Sequence, residues 1–314
     1  MTDMRKVAFL FAGQGAQTVG MGRDFADTVP ESGAVFSMGE ALRTGITLIC
    51  FGTGSPMDGA LLGQTANTQP CLFLTDLAIA EAFRAVGLLP AAVAGFSLGE
   101  IPAAAFAGVL SYEEAFRFVL LRAESMAWQS GRHPGGMAAA LKLAPEVVEE
   151  ICSRFSEVWP VNYNCPGQVS CAGSAAEIDD FCAAVRQAGG RAVKLPVSGA
   201  FHTPYMAQVA PVLRAALDGA DVSAPAIPLY ANRTASPYPA DRAGILDCMT
   251  LQVCSPVRWE STLRAMWTAG ITTFVEVGAG HTLTGFVSRT LPEARALTVN
   301  DIPSFEAVCR ELTE

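Results

Sequence analysis

The stretch VAGFSLGE, residues 93–100, places a serine between two glycines directly after an apolar run. Its G-x-S-x-G pattern is typical of a nucleophile elbow, a sharp strand-to-helix turn that leaves the serine hydroxyl exposed. Gly95 and Gly99 supply small flanks for the turn, and a helix opening here offers N–H groups to a developing oxyanion. An ordinary strand-to-helix turn has the same letters, so the motif alone leaves catalysis by Ser97 as one of two interpretations.

Apolar strand-like runs alternate with longer helical stretches on both sides of this motif. Strands are predicted over residues 7–13, 91–97, 227–234 and 272–278, and amphipathic helices over 68–87 and 111–129. This alternation favours a parallel sheet that is covered by helices on both faces. The sequence therefore predicts an α/β fold.

The middle of the chain has a different order of elements. A strand is predicted within 132–141, a helix over 144–155, two strands around a Pro-Gly turn in 158–174, a helix over 174–190 and a strand over 191–198. The βαββαβ order is the ferredoxin-like motif. We predict a ferredoxin-like α+β subdomain at 130–198, inserted into a large α/β domain formed by 1–129 and 199–314.

Composition excludes several classes of protein. The 314 residues are 51% hydrophobic with a net charge of −9, which argues against nucleic acid as a partner because phosphate binding needs a basic surface. The sequence has no run of about 18 uncharged apolar residues, so no membrane span is predicted. Nine scattered cysteines without a C-x-x-C pair indicate buried thiols in a reducing cytoplasm, and neither a disulfide framework nor a metal site.

A serine nucleophile needs a base, and the chain has three histidines. His133 lies in a Pro-Gly loop typical of a surface, and His281 follows a predicted strand. His202 follows strand-like residues, precedes a predicted helix start and comes after the serine in the chain, which favours it. A triad would also have a carboxylate that orients the histidine, but the carboxylates between the serine and His202 include two that lie on a predicted subdomain helix. A backbone carbonyl could orient the imidazole instead, so the site is predicted as a serine–histidine dyad.

Two further features bear on the site. The turn GQGAQ, residues 13–17, lacks the third glycine of a dinucleotide fingerprint because Thr18 stands there, so we expect no nicotinamide or flavin. The turn instead brings N–H groups beside Ser97, and Gln14 is placed to supply half of an oxyanion hole. Arg122 lies in an apolar helical stretch, where a cation needs either a structural salt bridge or a substrate carboxylate.

Seven segments occur in the order found in malonyl-CoA:acyl carrier protein transacylases, the acyltransferases of type II fatty acid synthesis and polyketide synthases. They are FAGQGAQ, GFSLGE, the Arg122 helix, NYNCPGQV, GAFHTPYM, LQVCSPVRW and VEVGAGHTLTG. The chain resembles this family from about residue 7 to 290. The family fold is an α/β-hydrolase-like domain with an inserted ferredoxin-like subdomain, in agreement with the division above.

The resemblance implies roles for residues at matching positions. Ser97 carries the acyl ester and His202 is its base. The backbone N–H groups of Gln14 and Leu98 form the oxyanion hole. Arg122 binds the malonyl carboxylate. The backbone carbonyl of Gln252 orients the histidine. The residues implied to line the site are Gln64, Asn162, Asn164 and Gln168.

Two positions bear on the acyl group. The segment Ala200-Phe201-His202 resembles that of malonyl-using members, since Phe201 leaves little room for an α-methyl group. The family has histidine before the serine, whereas this chain has Phe96, which changes the polarity of the pocket.

The predicted function is malonyl transfer from malonyl-CoA to the phosphopantetheine thiol of acyl carrier protein through a malonyl-Ser97 ester. We expect no metal or organic cofactor and a cytoplasmic monomer. Docking of an acidic carrier protein needs a local basic patch, for which Arg186, Arg191 and Lys194 are candidates, although each of them taken singly is more typical of a charge that keeps the surface soluble. A serine esterase or thioesterase is an alternative, but it would have an aspartate between elbow and histidine and lack the GQGAQ and NYNCPGQV segments. Intact Ser97 and His202 argue against a non-catalytic scaffold. The pathway, fatty acid or polyketide, stays open.

Overall fold

The computed structural model describes residues 3–197 and 199–314. Met1 and Thr2, at the start of the predicted large domain, and Ser198, the last residue of the predicted strand 191–198, lie outside the described residues. The strands are β1 (Val7–Phe11), β2 (Ala92–Gly95), β3 (Gly135–Leu141), β4 (Val158–Cys165), β5 (Gln168–Ser174), β6 (Arg191–Lys194), β7 (Leu229–Tyr230), β8 (Thr273–Val277) and β9 (Arg295–Val299).

Fourteen α-helices join and cover these strands within the described residues. They are α1 (Arg23–Thr28), α2 (Pro30–Leu42), α3 (Ile46–Phe51), α4 (Asp58–Leu62), α5 (Thr65–Ala85), α6 (Glu100–Phe106), α7 (Tyr112–Arg132), α8 (Pro145–Cys152), α9 (Ile178–Gln187), α10 (Val209–Ala216), α11 (Arg242–Leu251), α12 (Trp259–Thr268), α13 (Thr282–Thr290) and α14 (Ile302–Thr313).

The larger sheet is parallel and has the strand order β7-β2-β1-β8-β9. Every residue of the central strand β1 is buried. Its alternate side chains enter two different cores, with Phe9 and Phe11 on one face of the sheet and Ala8 and Leu10 on the other. A strand buried on both faces reads as one continuous apolar run, which is why VAFLF shows no alternation. The predicted α/β fold is confirmed.

The smaller sheet is antiparallel, with the order β4-β5-β3-β6. Helices α8 and α9 cover one face of it, where Ala138 and Ala140 of β3 join the apolar core beneath these helices. The intervening residues Met137 and Ala139 point the opposite way, into a cavity beside the larger sheet. The ferredoxin-like prediction is confirmed, and the sheet's free face becomes one wall of the site.

The ends of several elements differ from the predictions. Helix α7 continues to Arg132, beyond the predicted boundary at 129/130. Helix α9 begins at Ile178 rather than 174, because Ser174 still pairs with Gly135 as the last residue of β5. The two connections between the sheets meet in a bridge between Pro134 and Gly199. The boundaries 130 and 198 themselves stay a prediction.

Helices α5 and α7 pack against each other and carry side chains to the site. Pro70 lies within α5 and has no N–H to offer the carbonyl of Ala66 four residues earlier. Arg43 Nη1 donates to that carbonyl at 2.8 Å, so the helix continues without an unpaired acceptor. Helix α7 starts with a capping box between Ser111 and Glu114.

Candidate active site

Ser97 stands at the turn that follows β2, at the carboxyl edge of the parallel sheet. Its φ of 53° is left-handed, a strained conformation for a residue with a side chain. A Cβ on Gly95 would lie 1.9 Å from the Gly99 carbonyl, and one on Gly99 would lie 2.2 Å from the Phe11 carbonyl oxygen. Only glycine fits at both flanks, so the sharp turn that the motif predicts is present.

The Ser97 hydroxyl meets an imidazole. Ser97 Oγ lies 2.7 Å from His202 Nε2. His202 Nδ1 lies 3.0 Å from the Gln252 carbonyl oxygen and 3.1 Å from that of Ser255. Because a carbonyl only accepts, Nδ1 carries the hydrogen and Nε2 is left as the acceptor for the serine hydroxyl. Two backbone carbonyls thus hold the ring in the place where a triad has a carboxylate.

Burial controls the charge of this imidazole. His202 is buried, which lowers its pKa to about 4, and the positive charge of Arg122 adds to this shift. At neutral pH the ring is therefore uncharged and able to accept a proton. His202 itself has a left-handed φ of 63°.

Arg122 of α7 is buried beside the serine. Its Nη1 donates to Gln69 Oε1 at 2.5 Å, and its Nη2 donates to Gln252 Oε1 at 2.8 Å and lies 3.4 Å from Ser97 Oγ. Burial lowers the pKa of Arg122 to about 10, against the opposing charge of Glu100, so the group stays cationic at neutral pH.

The guanidinium has donors to spare. Nε has no hydrogen-bond partner among the described residues. Within residues 3–197 and 199–314 no carboxylate forms an ion pair with Arg122 either. The alternative of a structural salt bridge is thus not seen, and the cation is held by neutral amide oxygens.

A buried network beneath the serine went unnoticed in the sequence. Glu100 Oε2 accepts from Gln252 Nε2 at 2.8 Å and from the Asn232 N–H at 3.1 Å, and Oε1 accepts from the Tyr238 hydroxyl at 2.5 Å. Gln252 Nε2 also donates to the Ser97 carbonyl at 2.7 Å. Burial raises the pKa of Glu100 to about 7 against these hydrogen bonds. The partners lie more than 130 residues apart, so no local pattern indicated them.

A cavity of about 230 Å³ opens over Ser97, between the carboxyl edge of the parallel sheet and the free face of the antiparallel one. The predicted site residues that line it are Gln14, Ser97, Leu98, Arg122, Asn162, Asn164, Gln168, Phe201 and His202. A Cβ on Gly13 would lie 2.4 Å from the Phe96 carbonyl oxygen, so glycine lets the GQGAQ turn approach the serine this closely.

The antiparallel sheet contributes polar groups to the cavity. Asn164 Nδ2 donates to Ser170 Oγ at 3.1 Å, whereas the Oδ1 atoms of Asn162 and Asn164 are buried without a partner among the described residues. Gln168 Oε1 accepts from Arg289 Nη1 at 2.9 Å. The wall thus offers amide oxygens that a ligand can use.

Gln64 requires a correction. It does not line the cavity, and as the residue directly before α5 it is exposed. The glutamine of this segment that reaches the site is Gln69, which follows within α5 and faces α7. The segment LLGQTANTQP contains both glutamines, and helical phase decides which of them points inward.

Phe96 forms an apolar wall of the cavity. Its ring lies 5.4 Å from that of Trp259 in an edge-to-face contact and 6.0 Å from that of Phe286. Trp259 is fully buried, and its Nε1 has no hydrogen-bond partner among the described residues. An aromatic residue at 96 therefore gives this side of the pocket no polar group.

The remaining predicted features lie away from the serine. His133 and His281 are exposed and do not line the cavity. Arg186, Arg191 and Lys194 are exposed on the subdomain, with Lys194 Nζ 2.6 Å from Asp179 Oδ1. In the described part of the chain, no group of three or more metal-ligating side chains comes together, and no helix is long and apolar enough to cross a membrane.

An elbow serine, a neutral imidazole and a buried cation lie in one cleft, which is the arrangement that an enzyme with a serine nucleophile requires. Comparison with known proteins narrows this class. Residues 8–310 match the acyl transferase domain family, and the chain belongs to that family. The resemblance predicted from the seven segments is thereby confirmed.

Individual members of the family are similar to this chain in sequence and in structure. The chain is 33% identical over 317 aligned residues to the malonyl CoA-acyl carrier protein transacylase of Bacillus subtilis, covering 99% of this chain and 98% of that protein. The crystal structure of the malonyl-CoA:acyl carrier protein transacylase of Xanthomonas oryzae superposes with a TM-score of 0.92 at 32% identity over 99% of each chain. A type II polyketide synthase acyl-carrier protein in complex with its malonyl-transacylase gives a TM-score of 0.92 at 29% identity, over 98% of this chain and 99% of that one.

Proposed function

We propose that the protein transfers a malonyl group from malonyl-CoA to the phosphopantetheine thiol of acyl carrier protein, through an ester on Ser97. The observation that carries this proposal is the buried Arg122, whose Nη2 lies 3.4 Å from Ser97 Oγ and which has no carboxylate partner among the described residues. A dicarboxylic acyl group supplies both the reacting carbonyl and the missing counter-charge.

The first half-reaction is acylation. His202 Nε2 accepts the hydroxyl proton while Ser97 Oγ attacks the thioester carbonyl. The N–H groups of Gln14 and Leu98 hold the oxyanion, since both residues line the cavity beside the serine. Collapse of the tetrahedral intermediate breaks the carbon–sulfur bond, and the imidazolium returns its proton to the departing coenzyme A thiolate.

The second half-reaction reverses these roles. His202 accepts the proton of the carrier's thiol, the sulfur attacks the malonyl ester, and the proton returns to Ser97 Oγ as the carbon–oxygen bond breaks. The backbone carbonyls of Gln252 and Ser255 keep the histidine in the same tautomer in both directions. One site serves two thiols in turn, so the kinetics are ping-pong.

Arg122 selects the acyl group. A charge-assisted hydrogen bond to the malonyl carboxylate contributes about 1.5–3 kcal/mol, which is a ~10- to 150-fold preference over acetyl. Phe201 lines the cavity next to the base and restricts the space for an α-methyl group. Asn162, Asn164 and Gln168 provide amide groups for the remainder of the thioester substrate.

The carrier protein meets the enzyme at the mouth of this cavity. In this proposal Arg186, Arg191 and Lys194 of the subdomain form the basic patch on an otherwise acidic protein, although Lys194 already pairs with Asp179. The protein works in the cytoplasm, which the free state of all nine cysteines supports. The monomeric state stays a prediction.

One experiment separates transfer from its alternatives. The protein is incubated with malonyl-CoA alone and its intact mass is measured, with Ser97→Ala as control. We expect a stable malonyl adduct that Ser97→Ala lacks and that disappears when acyl carrier protein is added. Release of free malonate without an adduct would show a hydrolase, and absence of any reaction would show a binding protein.

A further inference from the structure

The nucleophile turn is held from a distant part of the chain. Asn232 follows β7 and is completely buried. Its Oδ1 accepts the Ser97 N–H at 2.7 Å, and its Nδ2 donates to the Gly95 carbonyl at 2.6 Å. The single amide therefore contacts the backbone on both sides of Phe96, at the residue before the turn and at the serine itself.

This turn needs an external support because its geometry is strained. A left-handed φ such as the 53° of Ser97 is unfavourable for a residue with a side chain, and it persists only where surrounding contacts impose it. The Asn232 amide satisfies one donor and one acceptor of the turn at once. If Ser97 relaxed to an ordinary φ, its N–H would turn away from Oδ1 and leave a buried acceptor unpaired.

Asn232 is itself fixed in place. Its N–H donates to Glu100 Oε2 at 3.1 Å, and its carbonyl accepts from the Arg258 N–H at 2.9 Å. The orientation of its amide is unambiguous, because the N–H of Ser97 requires the oxygen and the carbonyl of Gly95 requires the nitrogen. Asn232 does not line the cavity, so it cannot contact the acyl group directly.

We propose that Asn232 is a positioning residue for the nucleophile: its side-chain amide clamps the backbone at Gly95 and Ser97 and so holds Ser97 Oγ 2.7 Å from His202 Nε2. The clamp acts on the acylation step and not on the recognition of the acyl group, since the side-chain amide of Asn232 bonds only to the turn, whereas Arg122 is held by Gln69 and Gln252. This inference rests on the proposed role of Ser97 as nucleophile.

The test separates chemistry from binding. Asn232→Leu keeps most of the side-chain volume and removes both hydrogen bonds. We expect the rate constant of acylation by malonyl-CoA, measured in a single turnover, to fall about 5- to 150-fold, the equivalent of ~1–3 kcal/mol of strain that the clamp no longer balances. The malonyl-to-acetyl ratio of acylation rate constants stays at the wild-type value.

Binding is measured where no chemistry occurs. The Kd of malonyl-CoA is compared between Ser97→Ala and Ser97→Ala/Asn232→Leu, and we expect it to agree within about twofold. A residue that only stabilised the fold would instead weaken binding and chemistry together.

Asn232→Asp, of the same size, keeps the acceptor for Ser97 but faces the Gly95 carbonyl with a second oxygen. We expect it to lower the acylation rate constant at least about threefold at unchanged Kd, and it carries the test if the leucine variant does not fold.

Ser32→Ala is the matched control. It also removes a buried hydrogen bond to a backbone carbonyl, from Ser32 Oγ to Ala78 at 2.7 Å, but Ser32 contacts neither the turn nor the cavity, so we expect a wild-type acylation rate constant. A wild-type rate constant in either folded Asn232 variant, or a loss of affinity that matches the loss of rate, would overturn the clamp. If Ser97→Ala still formed the malonyl adduct, the proposed function itself would be wrong, so the two failures are distinguishable.

Discussion

Replacing Arg122 by methionine removes the buried charge of the cavity and keeps an unbranched side chain in α7. Malonyl transfer loses a charge-assisted contact worth about 1.5–3 kcal/mol, so we expect kcat/KM for malonyl-CoA to fall ~10- to 150-fold. Acetyl-CoA has no carboxylate to lose, and its kcat/KM stays the same or rises. The measurable quantity is the malonyl-to-acetyl ratio, which cancels any common loss of active protein.

Arg122→Met also changes the base. The arginine charge helps to lower the pKa of His202 to about 4, although burial is the larger cause. Without that charge the pKa rises towards its ordinary value. Because only the neutral ring accepts the serine proton, activity is lost as the pH falls through this pKa. The acid limb of the kcat/KM profile for acetyl-CoA therefore moves to higher pH in the variant.

Arg122→Met is also expected to lower the stability of the fold. The substitution leaves Gln69 Oε1 and Gln252 Oε1 without their donor, and each unpaired buried acceptor costs about 1–3 kcal/mol. Thermal unfolding must therefore accompany the kinetics. Arg117→Met is the matched control, since Arg117 lies on the same helix with its side chain exposed, and we expect wild-type values throughout. An unchanged malonyl-to-acetyl ratio in Arg122→Met would refute the assigned role of the arginine.

Three further substitutions probe the walls of the cavity. Gly13→Ala puts a Cβ 2.4 Å from the Phe96 carbonyl oxygen, so we expect the GQGAQ turn to move and the acylation rate constant to fall at least about tenfold at unchanged KM; normal acylation would contradict the close approach. Phe201→Ser frees space beside the base, so the acylation rate constant for methylmalonyl-CoA should rise relative to that for malonyl-CoA. An unchanged ratio of the two rate constants would show that Phe201 does not select between the acyl groups. Phe96→His replaces an edge-to-face contact with Trp259 by a polar ring, and hydrolysis of the malonyl ester in the absence of carrier should become faster, which release of free malonate measures. A wild-type rate of hydrolysis would show that Phe96 does not exclude water.

The sequence was most informative where a pattern is local. A buried central strand, a Gly-Ser-Gly turn and a βαββαβ order each depend on neighbouring residues, and both sheets follow them. Strand β9 was missed because Arg295–Val299 is a half-buried edge strand without a continuous apolar run. The choice between Gln64 and Gln69 depends on the starting residue of α5, and helix ends are the least certain feature of a sequence pattern.

The network beneath the serine lies beyond such patterns. Glu100 is visible in the GFSLGE segment, but its partners Asn232, Tyr238 and Gln252 lie more than 130 residues further along the chain. Only the fold brings these segments under the turn. The resemblance supplied the role of the Gln252 carbonyl, whereas the side chain of the same residue, which joins Arg122 to Glu100, has no signature in the sequence.

If Arg122 binds the malonyl carboxylate as proposed, its position couples substrate recognition to base strength. In the free enzyme its charge lowers the pKa of His202 and so weakens the imidazole as a base. In the proposed function a malonyl carboxylate neutralises that charge when the substrate binds, and the pKa of the imidazole rises towards the pH at which the reaction runs. A stronger base accepts the Ser97 proton at a lower barrier. An acetyl group leaves the charge in place, so the preference for malonyl is exerted on the chemical step as well as on binding, and it should be larger in kcat/KM than in the Kd values of Ser97→Ala for the two thioesters.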